Sequence, residues 1–259
     1  MSKKRLDILL VERELVDSRQ RAQALILAGK VAVNGSASIK AGALVDENAD
    51  LVIRESLKYV SRGGLKLEGA LDAFGVEPRG KVCADVGSST GGFTDCLLQR
   101  GAARIYALDV GYGQLAWKLR SDPRVLVMER VNVRYLQNLP ELIDLATIDV
   151  SFISLTQILP AVKLFLQPYG QVIALVKPQF EAGREEVGKG GIVRDAAIHR
   201  AVVEKIVHYA LANNWRVLGL CRSPITGMEG NVEFFIHLTS DALRPDVDVP
   251  QAIANLFTE

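Results

Sequence analysis

Apolar and polar positions alternate along the chain with two different periods. From about residue 65 onward, short apolar runs read as strands at 82–86, 104–110, 124–129, 144–150, 171–177, 215–222 and 231–238. Apolar positions at helical spacing separate most of them, at 65–74, 92–100, 114–120, 154–166 and 196–213. Repeated strand–helix units predict an α/β domain on a mostly parallel, doubly wound sheet. The last two strands are joined only by residues 223–230, too short for a crossover helix, so they must pair antiparallel.

The first part of the chain has a different texture. Residues 5–13 fit a short helix with apolar residues on one side. Ser18 can cap a second helix over 19–28, which Gly29 can end. Val31-Ala-Val33 and a strand near Ser38-Ile39 flank Asn34-Gly35, a strong hairpin signal, and Leu51-Val-Ile53 makes another strand. This predicts a small α+β domain over 1–58, a linker at 59–64, the large domain at 65–245 and a tail at 246–259. Within residues 54–63 the break is placed at Gly63-Gly64.

Composition narrows the class. The chain has 259 residues, 49% hydrophobic and 24% charged, ordinary for a soluble globular protein. No apolar run approaches the roughly 18 residues that span a bilayer, and Met1-Ser-Lys-Lys-Arg5 leads into a charged segment rather than a signal-peptide core. Cys83, Cys96 and Cys221 lack metal or disulfide spacing, as in a reduced, cytoplasmic protein. His199, His208 and His237 are scattered, and no metal is expected. The net charge of +1 is uneven. Residues 1–40 hold eight Lys/Arg against four Asp/Glu, a net +4, so the remainder carries −3. A basic head on a near-neutral body suggests an anionic partner such as nucleic acid.

Candidate chemistry gathers at the carboxyl ends of the predicted strands, where ligands bind in such sheets. Residues 81–93 read as strand, small-residue turn and helix start, which brings free N–H groups close to a ligand. Asp109 ends the next strand, where an acidic residue takes the hydroxyls of a bound ribose. The site therefore suits an adenosine-containing ligand, with Asp85, Gly87, Ser88, Ser89, Thr90, Gly91, Gly92, Phe93, Asp109, Asn132 and Asp149 as candidate contacts. The third strand end also offers Glu129. Lys177 follows Val-Ile-Ala-Leu-Val, and a charge there needs a partner or a role; Asp149 on the neighbouring strand is the obvious partner. The run Asp149-Val-Ser-Phe152 is not the Asn/Asp-Pro-Pro-aromatic run common in amine methylation, and it holds no cysteine for carbon-5 pyrimidine methylation. An oxygen nucleophile deprotonated by a lysine remains. A parallel sheet ending in an antiparallel hairpin is the Rossmann-like class I sheet of S-adenosylmethionine-dependent methyltransferases.

Two resemblances sharpen this. Arg5-Leu6-Asp7, Ser18-Arg19, Ala22, Leu25-Ile26, Gly29, Val31 and Val33-Asn34-Gly35 closely resemble the S-four-type RNA-binding domain. That likeness implies an RNA-binding face of Lys4, Arg5, Ser18, Arg19, Gln20, Arg21 and Lys30. Residues 1 to about 240 resemble the TlyA (hemolysin A) family, whose large domain is similar to the FtsJ ribose 2′-O-methyltransferases. The runs 59–67, 91–95, 109–115, 177–183 and 188–191 carry the likeness. It implies a Lys-Asp-Lys-Glu tetrad at Lys66, Asp149, Lys177 and Glu233, with Lys177 flanked by Lys66 and held by Asp149 and Glu233. It also implies S-adenosylmethionine as methyl donor and 2′-O-methylation of a cytidine in ribosomal RNA, 23S alone or 23S and 16S both. The partners implied are ribosomal RNA or ribosomal subunits, met by a monomer without a membrane. The long loop 179–195, with Arg184, Lys189 and Arg194, borders Lys177 and reads as an RNA-facing flap. Three other readings are a binding protein that lost activity, a membrane-active hemolysin and a nicotinamide dehydrogenase. The intact tetrad, the lack of a spanning segment and the terminal hairpin argue against them in turn.

Overall fold

A computed structural model describes residues 3–16, 18–27, 29–38, 40–53, 58–227 and 230–258. Ala28, Ile39 and residues 54–57 of the expected helix, strand and linker lie outside the described residues. The chain divides into two compact units, Met1–Leu57 and Lys58–Glu259.

The first unit runs β1 (Lys3–Arg5), α1 (Leu6–Glu12), α2 (Arg19–Leu27), β2 (Val31–Val33), β3 (Ser36–Ser38), β4 (Leu44–Asp46) and β5 (Leu51–Ile53). Ser18 Oγ accepts from the Arg21 N–H at 3.3 Å at the start of α2. Gly29, at φ 68, ends that helix, and the Lys30 N–H returns to the Leu25 carbonyl at 2.9 Å. Asn34 and Gly35 take φ 49 and φ 80, the left-handed pair that a two-residue hairpin requires, and β2 and β3 pair antiparallel around them. Leu6, Leu9, Leu10, Ala22, Ile26, Val31 and Leu51 form the core. The β1–β4 pair is an addition to the sequence reading, because three-residue strands leave no readable period.

The second unit runs α3 (Gly63–Phe74), β6 (Val82–Val86), α4 (Gly92–Gln99), β7 (Arg104–Leu108), α5 (Trp117–Arg120), β8 (Val125–Met128), β9 (Ile143–Ile148), α6 (Leu159–Leu164), β10 (Leu166–Val176), α7 (Pro178–Glu181), α8 (Ala196–Ala212), β11 (Arg216–Arg222), β12 (Phe234–Thr239) and α9 (Val249–Phe257). Seven strands order as β11-β12-β10-β9-β6-β7-β8, and β12 alone runs against the rest. Successive strand residues point to opposite faces. Cys83, Ile105, Leu145, Ile173 and Phe235 pack with residues of α3 and α4, while Ala84, Val86, Ile148, Val176 and Ile236 pack with residues of α6, α8 and α9. From β6 the chain winds first to β7 and β8, then returns to β9 on the other side. The crevice at the carboxyl ends beside β6 is the switch point where ligands bind in such sheets.

Several elements differ from the sequence reading. Gly63-Gly64 does not break the chain; the pair opens α3. The Tyr59 side chain lies against Gly64, where a Cβ would fall 2.2 Å from Tyr59 Cγ, so glycine serves close packing. The expected helix 154–166 is a 3-10 turn over Leu155–Gln157 followed by α6, with Pro160 at its start. The helix expected at 114–120 is confined to α5. The last strand begins at Phe234, so Glu233 precedes it rather than lying within it. Residues 249–257 form α9, which is capped by the Asp248 side chain at 3.1 Å from the Gln251 N–H and buries Ile253. Among the described residues no helix is long and apolar enough to cross a membrane.

Candidate active site

The turn after β6 is tied to the next strand. The Gly87 and Ser88 N–H groups donate to the Leu108 carbonyl at 2.8 and 3.1 Å. Gly87, at φ 88, has no room for a side chain, since a Cβ would lie 2.5 Å from the Asp149 carbonyl oxygen. Asp109 joins the two strand ends: its carboxylate accepts from the Ser89 N–H at 2.7 Å and the Gly111 N–H at 2.6 Å. Each carboxylate oxygen keeps a second lone pair, and the residue is only half-buried, so Asp109 still has acceptor capacity toward a ligand. Ser89 and Thr90 are exposed, Ser88, Gly91, Gly92 and Phe93 are buried, and the first turn of α4 follows directly. Asn132 is exposed and caps a 3-10 turn, its side-chain oxygen 3.2 Å from the Arg134 N–H. Glu129 is occupied, accepting from Arg120 at 2.5 Å and from the Gly113 N–H at 2.7 Å.

Asp85 lies deeper than a ligand contact. It is wholly buried, and its Oδ2 accepts from the Thr94 hydroxyl at 2.6 Å, which ties β6 to α4. Burial pushes its carboxyl up to about 7; Asp149 and Asp109 add to the rise, and the Thr94 hydrogen bonds oppose it. Between an unfolded value of about 4 and this native value, unfolding releases a proton, so the group's contribution to stability falls as pH rises through that window. The melting temperature of Asp85→Asn relative to the parent protein is therefore expected to climb between about pH 4 and pH 7 and to level off above it. A difference that stays flat across that range in a thermal-unfolding series overturns the assignment.

Two ion pairs lie at the carboxyl end of the sheet. Lys177 follows β10 and is 10% exposed; its Nζ lies 2.6 Å from Asp149 Oδ1, at the end of β9. Lys66, on α3, pairs with Glu233 at 2.5 Å, with side chains only 12% and 2% exposed. Val176 faces Phe234 across the β10–β12 ladder, which makes Lys177 and Glu233 neighbours in register. Glu233, expected to hold Lys177, makes its ion pair with Lys66 instead. Gly227 leaves the space for this carboxylate, since a Cβ there would fall 2.3 Å from Glu233 Oε1.

The surrounding loops carry residues that the sequence reading left unassigned. Ser151 Oγ accepts from Lys177 Nζ at 3.0 Å. Phe152 is 90% exposed, sits at φ 63 and tilts against Phe180 with ring centroids 4.8 Å apart. A bulky residue at positive φ is strained, and such strain collects at functional sites. Glu181 is buried and accepts from the Ser154 hydroxyl and the Leu155 N–H, both at 2.7 Å. In the loop 179–195, Arg184, Lys189 and Arg194 are exposed. The base of that loop is fixed: Asn231 donates to the Gly191 carbonyl at 3.0 Å and accepts from the Val193 N–H at 3.1 Å. Of Ser151, Phe152, Glu181 and Asn231, only Glu181 lies within a run quoted for the family likeness; the other three lie outside them. The only signal was a polar or aromatic residue at a strand end, and that does not reveal its partner.

In the first unit, Asp7 is wholly buried and gathers the basic face. It accepts from Arg5 Nε at 3.0 Å, Arg19 Nε at 2.9 Å and Gln23 at 2.8 Å. The Arg5 hydrogen bond, with those of Gln23 and Arg19, holds its carboxyl well below the usual range. Each arginine keeps donors beyond these bonds. Lys4 is shared by Glu12 at 2.8 Å and Glu47 at 3.2 Å. Gln20 and Arg21 are exposed, Lys30 is half-buried, and Ser18 is used at the start of α2.

Comparison with known proteins agrees with this layout. A family model described as FtsJ-like methyltransferase matches residues 59–240, and an S4 domain matches residues 4–51. The protein YqxC of Bacillus subtilis is 53% identical over 243 residues, covering 91% of this chain and 85% of its own. The 16S/23S rRNA (cytidine-2'-O)-methyltransferase TlyA of Mycobacterium tuberculosis is 47% identical over 246 residues, 93% of this chain and 91% of its own. A solved structure from Streptococcus thermophilus superposes with a TM-score of 0.74 at 46% identity, covering 99% of this chain and 94% of that one.

Proposed function

The chain belongs to the TlyA family of FtsJ-like methyltransferases, and from that membership we propose that it methylates the ribose 2′-oxygen of a cytidine in ribosomal RNA, 23S alone or 23S and 16S both. The observation that carries the reading is the pair of ion pairs Lys177–Asp149 and Lys66–Glu233 at the carboxyl end of the sheet. All four residues lie in one chain, so a single copy suffices, working in the cytoplasm on ribosomal RNA or a ribosomal subunit.

S-adenosylmethionine suits the switch-point crevice. Asp109 has lone pairs left for ribose hydroxyls, and the first turn of α4 offers backbone N–H groups toward a carboxylate. When bound it supplies a methyl group already activated on a sulfonium. The ribose hydroxyl, by contrast, is a poor nucleophile near neutral pH, and Lys177 Nζ takes its proton. Asp149 holds the amine at the end of β9, and the Lys66–Glu233 pair places a second cation at the same end of the sheet. Phe152 presents an exposed ring beside Phe180, a surface on which an unstacked base can lie. The basic residues Arg5, Arg19, Arg21, Lys30, Arg184 and Lys189 suit phosphate oxygens.

The test is transfer of labelled methyl from S-adenosylmethionine to ribosomal RNA, followed by alkaline hydrolysis. A blocked 2′-oxygen cannot attack the adjacent phosphate, so the label is expected in alkali-resistant dinucleotides that contain cytidine. Label released in mononucleotides means base methylation and overturns the reading.

A further inference from the structure

Lys177 Nζ donates a hydrogen bond to Ser151 Oγ at 3.0 Å and lies 2.6 Å from Asp149 Oδ1 in an ion pair that lacks hydrogen-bond alignment. Both belong to the turn that follows β9. The geometry points to Ser151 as a positioning residue for methyl transfer, one that aims the lone pair of Lys177 at the ribose hydroxyl; this rests on Lys177 being the proton acceptor.

A neutral amine carries two N–H bonds and one lone pair in a tetrahedral arrangement. With only the Asp149 ion pair, which has no hydrogen-bond alignment, the amine can turn about its Cε–Nζ bond, and the lone pair sweeps a cone. With Ser151 accepting, one N–H has a fixed direction, the Asp149 carboxylate repels the lone pair from its own side, and the lone pair is left the direction away from both. The Phe180 ring, with its centroid 5.7 Å from Nζ, occupies part of the space around the amine. When the ribose O–H bond breaks, the proton becomes the third N–H of the ammonium, and the hydrogen bond to Ser151 need not move. The site is therefore set before reaction, which is where positioning contributes most.

Ser151 is exposed, yet its turn is held on both sides. The Asp149 N–H donates to the Val86 carbonyl on β6 at 2.9 Å. Past the turn, the Ser154 hydroxyl and the Leu155 N–H both donate to Glu181 at 2.7 Å. Glu181 ends α7, the segment that begins next to Lys177. The stretch that carries the amine thus also clamps the turn that carries Ser151 and Asp149, and the Nζ–Oγ distance is set by both.

The experiment measures single-turnover methyl transfer to ribosomal RNA by the full chain, with affinities for S-adenosylmethionine and RNA measured separately. Ser151→Ala is expected to slow transfer roughly threefold to tenfold, the scale of one hydrogen bond, with both affinities unchanged. Ser151→Thr keeps a hydroxyl and is expected to restore most of the rate. In a Lys177→Met background, Ser151→Ala is expected to add no further loss, because it acts only through the amine. Wild-type speed in Ser151→Ala, an equal loss in the Lys177→Met background, or no rescue by threonine overturns the inference. If any of these occurs while Lys177→Met alone is severely slowed, the proton-acceptor reading stands without Ser151. If Lys177→Met is nearly as fast as wild type, both fall.

Discussion

Lys177→Met is expected to slow methyl transfer by roughly 10²–10⁴-fold, the range for a lost general base, while S-adenosylmethionine and RNA affinities stay within a few-fold. Methionine keeps much of the apolar stem that β10 and α7 bury, so the fold has little reason to change. What goes is the group that sits 2.6 Å from Asp149 and 3.0 Å from Ser151. Arginine separates the two remaining accounts of this position. A guanidinium keeps the positive charge but does not give up its proton near neutral pH. Lys177→Arg should therefore be about as slow as Lys177→Met. If Lys177→Arg transfers methyl nearly as fast as wild type, the lysine is an electrostatic clamp and solvent takes the proton.

Much of this site was legible in the sequence because its parts are local. The turn at 87–92 and the acid at 109 follow from a strand, a run of small residues and a helix start, and the structure joins them through the Ser89 N–H to Asp109 bond at 2.7 Å. The terminal hairpin followed from the shortness of residues 223–230. Strand-end position gave Asp149 as the partner of Lys177, and the structure pairs them at 2.6 Å. Lys66 and Glu233 came only from the family likeness, and their pairing with each other, set by distant parts of the chain, was not legible. Glu233 was expected to hold Lys177, whereas it pairs with Lys66 on α3, and β12 starts at Phe234, three residues later than its apolar pattern suggested. Gly63-Gly64 shows the same limit. Glycine reads as a break when its neighbours in space are unknown, and here the neighbour is the Tyr59 side chain. The basic residues of the head were visible as a charge excess, while Asp7 entered only as part of the Arg5-Leu6-Asp7 likeness, with no sign that it is buried beneath Arg5 and Arg19.

The Lys66–Glu233 pair leads to the other large effect, because stability and catalysis should part company there. Both side chains are nearly enclosed, and the pair is 2.5 Å long. Removing one partner leaves the other as an uncompensated buried charge, which typically costs about 3–5 kcal/mol. Glu233→Gln and Lys66→Met should each lower the melting temperature by roughly 10 °C, given about 2–4 °C per kcal/mol at this chain length. Removing both partners leaves no charge to desolvate, so the double variant should recover most of the lost stability, a strongly non-additive cycle. Methyl transfer should not recover with it. The double variant lacks the second cation at the carboxyl end of the sheet, and losing one preorganised electrostatic group typically costs about 10²-fold. Thermal unfolding and single-turnover transfer on the same four proteins decide the matter. A double variant that is both stable and fast would make the pair a structural strut. One that is stable and slow means the buried charges are kept for the reaction, at a site where a neutral pair would fold as well.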